Sequence, residues 1–202
     1  VTGANVVTKS EKTPWYKGES LLGSLAIWEP IGRVIDEGFR FPVQFIVRAE
    51  NNFRGYAGSV VAGSIRKGDE ITVADSGRTA KIDRIVTANG DLAEATYGQA
   101  VTLTLDHEVD VTRGDILSAG TALQPADRFG VDMVWLGEEP LAHGRSYLLI
   151  SGSRSVPATV TNVRHRLDVV SGHEHAARVL NMNDIGRVEI ATDRPIPMDP
   201  YT

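Results

Sequence analysis

Cysteine is absent from all 202 residues, which rules out a disulfide framework and any thiolate metal site and makes a reducing, cytoplasmic setting the expectation. No apolar run approaches the roughly 20 residues needed to span a membrane, no signal-like leader is present, and no N-x-[S/T] acceptor occurs. A basic excess is missing too. Lys and Arg total 21 against 26 Asp and Glu, a formal net charge of -5, whereas non-specific nucleic-acid binding needs clustered cations to displace counterions from phosphates. The chemistry-bearing motifs are equally sparse. There is no G-x-x-x-x-G-K-[S/T] loop to cradle phosphates, no G-x-S-x-G elbow, and no Ser/His/Asp or paired-carboxylate signature.

What remains is an ordinary globular composition, 42% hydrophobic and 23% charged, in a chain long enough to bury about 70% of its unfolded surface. From Phe39 the pattern alternates: Phe39, Phe41, Val43, Phe45 and Val47 are expected on one face, with Arg40, Gln44 and Arg48 on the other. The segments "GYAGSVVAGSI", "GDEITVAD" and "RTAKIDRIVT" follow, joined by turns at Arg66-Lys67-Gly68-Asp69, Ser76-Gly77 and Asn89-Gly90. "QAVTLTL" repeats the alternation, with Val101, Leu103 and Leu105 inward. Short strands with such turns predict a small antiparallel barrel over residues 39–124. Loss of periodicity around "SAGTALQPADRFG" places a boundary near Gln124, and "VDMVWL", "RSYLLISG", "VPATVTNVRHRLDV" and "DIGRVEIAT" predict a second barrel over 125–202. "HEHAARVL" is ambiguous. Residues 1–38 read as a linker with one short amphipathic helix, carrying Leu21, Leu22, Leu25 and Trp28, capped by Ser20 and stopped by Pro30.

Several short motifs invite a functional reading and fail it. Arg54-Gly55-Tyr56-Ala57 opens like an aromatic RNA-binding strand, but the positions that need stacking rings hold Gly58 and Val61. Gly55 and Gly58 instead predict a bulge or a close backbone approach, and Gly63 the passage of a neighbouring strand. Gly55 to Gly58 also spells GxxG, but between strand patterns rather than helices. Asp127 to Gly130 spells DxxG without any phosphate loop. Arg113-Gly114-Asp115 spells an adhesion tripeptide, with a tight turn the better reading. His173-Glu174-His175 lacks a third ligand, and Asp106, Glu108 and Asp110 lack the glycine and spacing of a calcium loop.

Three segments together carry more information. "GSVVAGSIRKGDEITV", "AEATYGQAVTLTL" and "VDVTRGDIL" resemble the second domain of translation-factor-type GTPases. Within that superfamily "SEKTPWYKGESLL", "FRFPVQFIVR", "NNFRGYAGSV" and "VDMVWL" resemble the large, GTP-hydrolysing subunit of bacterial sulfate adenylyltransferase, and the likeness covers nearly the whole chain. It implies an all-β fold of two barrels behind a G domain that is not among these residues. "TGANVV" would follow the last guanine-binding motif, in keeping with a start at Val1 rather than methionine, and "DPYT" would stop short of the third domain's final strands.

The resemblance further implies a parent that binds GTP and magnesium in its G domain and pairs with a smaller catalytic subunit. That subunit makes adenylyl sulfate and pyrophosphate from ATP and sulfate. No catalytic, GTP-binding or metal residue, and no cofactor of its own, is then expected in this chain. Phe53 and Arg54 are the candidate interface contacts. The alternative is a pair of elongation-factor-like barrels that bind aminoacyl-tRNA, against which stand the acidic balance and the segments "PWYKG" and "FRFPVQ".

Overall fold

A computed structural model describes residues 3–28, 38–49 and 53–199. The chain divides into a short unit, Val1–Val34, and a large one, Ile35–Thr202. Among the described residues of the short unit, the regular element is helix α1 (Leu21–Ile27). Its first turn is tied by the Ser20 hydroxyl, which accepts a hydrogen bond from the Gly23 amide at 3.1 Å. The main-chain carbonyls of Asn5 and Val6 accept from the amides of Leu21 and Leu22 at 2.8 and 2.9 Å. Pro30, the expected stop, lies outside the described residues.

Every strand pairing among the described residues of the large unit is antiparallel. Its first part contains β1 (Phe39–Ala49), β2 (Phe53–Ser59), β3 (Ser64–Arg66), β4 (Glu70–Val73), β5 (Thr79–Thr87), β6 (Gly90–Leu92), β7 (Glu94–Thr96), β8 (Ala100–Leu105) and β9 (Ile116–Ala119). The sheet runs β4-β9-β1-β2-β8-β5-β6, and a further β4–β5 pairing closes it into a ring. Closure leaves no edge to protect among the ring strands. Inside the ring Phe39, Phe41, Val43, Tyr56, Ile71, Ile82, Ile85, Leu103 and Leu117 are buried.

Strict alternation fails at one point in β1. The β1–β2 register slips between Val43 and Phe45, opposite Gly58 and Ala57. One extra residue reverses the facing of every side chain after it. Phe45 is therefore 64% exposed, and Ile46, not Phe45, packs against the core. Gly58 is the residue that admits the irregularity, because a Cβ there would overlap the Pro42 carbonyl oxygen. Gly63 has φ +64°, and its missing Cβ would lie 2.7 Å from the carbonyl of Gly38, so a neighbouring strand does pass at that point.

The second part contains β10 (Gln124–Val134), β11 (Leu141–Ala142), β12 (Ser146–Ser151), β13 (Arg154–Leu167), β14 (Glu174–His175), β15 (Val179–Leu180) and β16 (Ile185–Met198). Its main sheet runs β10-β16-β13-β12, with β14 added to β13. The segment expected to lose structure at Gln124 to Gly130 is strand. Its periodicity is broken by a register shift between Ala126 and Arg128. A core of Leu141, Ala158, Val160, Val163, Leu180, Val188 and Ile190 lies beneath this sheet.

Two arginines connect the parts. Arg40, expected on the face opposite Phe39 and Phe41, has a side chain only 4% exposed, because Asp199 covers it. Nε and Nη2 of Arg40 bond the two Asp199 carboxylate oxygens at 2.9 and 2.8 Å. Arg154 is clasped by Asp75 and Asp115, with Nη1 to Asp75 Oδ1 at 2.8 Å and Nη2 to Asp115 Oδ1 at 3.1 Å. Asp115 also accepts the amide of Thr112 at 2.8 Å. Arg113 itself is exposed, but the carboxylate of its tripeptide is already engaged, so the adhesion reading lacks its second charged group.

Candidate functional site

The first barrel carries an open depression of ≈ 550 Å³ at the end of the β1–β2 ribbon, and both candidate contacts, Phe53 and Arg54, line it. Antiparallel pairing sets Arg48 directly across from Arg54, and Ala49 across from Phe53. From the neighbouring strands come Asp83 and Arg84, and from the segment after β8 come His107 and Glu108. Three arginines and a histidine thus line the depression together with two carboxylates. The sequence analysis missed Arg48, Arg84, His107 and Glu108; the pairing register of the hairpin was the signal that would have added Arg48.

Arg54 is held rather than free. Its guanidinium lies 5.6 Å from the centroid of the Tyr56 ring, a cation–π contact, and Nη1 forms an ion pair with Glu108. Its Nε is buried and has no hydrogen-bond partner among the described residues. Beneath it Tyr56 is 1% exposed and donates its hydroxyl to the Val109 carbonyl at 3.0 Å. A ring sealed in this way cannot stack on a base, which removes the last support for the RNA-binding motif.

Burial pushes the Tyr56 phenol above its ordinary 10.0, and the Arg54 charge opposes that shift. Because the folded pKa is raised, the neutral phenol's contribution to stability is complete below about pH 10 and is lost as pH climbs through the folded value. We expect one of the five tyrosines to ionise late in an ultraviolet titration, and Tyr56→Phe to abolish that late step. A late step that survives in Tyr56→Phe would assign it elsewhere.

Around this core the charges are paired locally. Arg84 grips Asp91 through Nε and Nη2 at 2.6 and 2.9 Å, and this holds the Asp91 carboxyl below the usual carboxylate range. Asp106 is held low by the Lys81 amide, which donates at 2.9 Å, and by His107, whose Nδ1 lies at 2.8 Å. Among the described residues no cluster of three or more His, Asp or Glu could hold a metal ion, and His173, Glu174 and His175 do not converge on one point. Glu174 faces His165 at 3.4 Å, whereas His175 lies 4.0 Å from Asp168. The depression offers planar guanidinium forks, a half-buried phenyl ring and carboxylates.

The architecture is a ring-closed antiparallel barrel followed by a second antiparallel sheet. Structures of Sup35 complexed with GMPPNP and with GDP share the fold, with TM-scores of 0.71 and 0.73 at 21% identity, over 98% of this chain and 50% of those chains. The family described as GTP-eEF1A C-terminal domain-like matches residues 128–202.

Over nearly its whole length the chain is homologous to sulfate adenylyltransferase subunit 1 and NodQ proteins. It is 42% identical to sulfate adenylyltransferase subunit 1 of Tolumonas auensis over 98% of its own length and 42% of that protein's. It is 44% identical to the bifunctional enzyme NodQ of Azospirillum brasilense over 98% of its length and 32% of that protein's. The chain therefore spans less than half the length of the curated relatives that it matches.

Proposed function

We propose that this chain is the non-catalytic β-barrel portion of the GTPase subunit of a sulfate adenylyltransferase. The parent enzyme works with a smaller catalytic subunit to convert ATP and sulfate to adenylyl sulfate and pyrophosphate, and couples that step to GTP hydrolysis in the cytoplasm. GTP and magnesium bind in a G domain outside these 202 residues. The observation that carries the reading is identity of 40–44% sustained across 98% of the chain.

In this reading residues 1–38 lead from the G domain, residues 39–124 are barrel two and residues 125–202 are barrel three. Separate hydrophobic cores on either side of Gln124 support that division. The two arginine clasps make the barrels one lever, as coupling requires. A nucleotide-dependent rearrangement can bias another active site only by changing its contacts with a packed neighbour. Phe53 and Arg54 are the contacts through which barrel two meets the smaller subunit.

The test is to mix the purified chain with the smaller subunit and follow complex formation and GTP turnover. We expect no GTP hydrolysis by the chain alone, and a complex that Arg54→Glu weakens. Turnover by a clean preparation would overturn the first part, and a complex indifferent to Arg54→Glu the second. Tight, salt-sensitive binding of tRNA would replace the whole reading with the elongation-factor alternative.

A further inference from the structure

The inward face of the β1–β2 ribbon changes its chemistry near the end of the hairpin. Tyr56 and its cross-strand partner Ile46 point into the barrel, where Tyr56 is 1% exposed and Ile46 packs against the core. Two residues further along each strand the same face carries Arg54 and Arg48, again opposite one another. The mouth of the barrel thus holds two like charges in one cross-strand pair, which is destabilising unless an anion lies between them.

One anion is already there. Glu108 forms an ion pair with Nη1 of Arg54, yet the Glu108 side chain is 78% exposed and among the described residues has no second hydrogen bond. The Arg54 side chain is 21% exposed and packs over the Tyr56 ring, so the cation is held while its counter-ion is not. Among the described residues Arg48 has no ion pair, and the buried Nε of Arg54 has no acceptor. The remaining charges of the depression are engaged elsewhere: Arg84 grips Asp91, and Asp83 accepts from the Thr104 hydroxyl at 3.5 Å. One loosely held carboxylate therefore faces two guanidiniums.

We propose that the mouth of the first barrel is an oxyanion-exchange site, in which the anionic group of an incoming ligand displaces Glu108 and bridges Arg48 and Arg54. Guanidinium forks match the oxygens of carboxylates and phosphates, and each such charge-assisted bond is stronger than a neutral one. Displacement costs little, because an exposed surface ion pair is weak and Glu108 returns to water when it leaves. The gain falls on Arg48, which acquires a partner only in the exchanged state. A volume of ≈ 550 Å³ leaves room for the body that carries the oxyanion. That body is either the smaller subunit, through a carboxylate, in which case the inference rests on the interface reading given above, or a free phosphate compound.

Titration of inorganic phosphate into the full 202-residue chain at constant ionic strength, followed through the amide resonances of Arg54 and Tyr56, tests the site. Glu108→Gln removes the resident charge and should tighten binding about fivefold, whereas Arg48→Ala should weaken it about tenfold. Both positions are exposed, so the circular dichroism should not change. The same variants mixed with the smaller subunit identify the source. A complex that Glu108→Gln tightens and added phosphate weakens takes its oxyanion from a carboxylate of that subunit; phosphate binding beside an indifferent complex assigns the site to a free anion. If no complex forms, the subunit contact falls and the phosphate titration alone decides the site. Phosphate binding that Glu108→Gln weakens overturns the exchange. So does a chain that ignores phosphate and forms a complex that Phe53→Ala disrupts but Glu108→Gln leaves unchanged, a result that keeps the subunit contact.

Discussion

Arg40→Ala should lower the unfolding free energy of the large unit by about 3–5 kcal/mol, the cost of removing one partner from a buried ion pair. The guanidinium is 4% exposed and satisfies both oxygens of Asp199, and its Nη1 also donates to the Phe39 carbonyl at 3.1 Å. Truncation would leave a carboxylate that is 29% exposed facing a cavity lined by backbone carbonyls. Both consequences are unfavourable: the acceptors lose their donor, and the vacated volume loses its contacts. For a unit of this size the midpoint should fall by about 10 °C. Arg154→Ala should cost a comparable amount, since it removes the donor from two carboxylates, Asp75 at 32% and Asp115 at 13% exposure. Chemical denaturation of the two variants in parallel checks both. A loss under about 1 kcal/mol in Arg40→Ala would show that the clasp does not hold the parts together.

Gly58→Ala is the second substitution with a large expected effect, about 2–3 kcal/mol from overpacking. An added Cβ would collide with the Pro42 carbonyl and approach the buried Phe41 ring to 3.0 Å. Neither can give way easily, because one is backbone inside a strand and the other is part of the core. Gly68→Ala provides the comparison. Its φ of +91° imposes strain, but nothing lies within 4 Å of the new Cβ, so about 1 kcal/mol is expected. If the two variants unfold at the same denaturant concentration, close approach is not why position 58 holds glycine. A further consequence is visible at Phe45, whose outward direction depends on the bulge opposite Gly58. A variant that straightened the bulge would drive Phe45 inward and Ile46 out.

Much of this protein was legible in its residues because the signals were local. Alternation at Val101, Leu103 and Leu105, glycine-containing turns and a serine cap each arise from conformational preferences within a few residues, and each takes the expected place. The failures were of another kind. Phe45 reads as a core residue until one inserted position inverts the parity, and Arg40 reads as a residue of the opposite face until Asp199, 159 residues later, covers it. For the candidate site the sequence named Phe53 and Arg54 but not Arg48, which the β1–β2 hairpin register sets opposite Arg54, nor Arg84 and His107, which sheet order brings to the same place.

By itself, then, the sequence determined that the chain is antiparallel β, that it lacks thiol chemistry and a phosphate loop, and which family its motifs resemble. The tertiary structure alone decided which charges are buried and where the depression around Arg54 forms. The physical reason is that strand pattern and turn chemistry act over a few residues. Burial and ion pairing depend on segments that are distant in sequence and meet only when the sheets close.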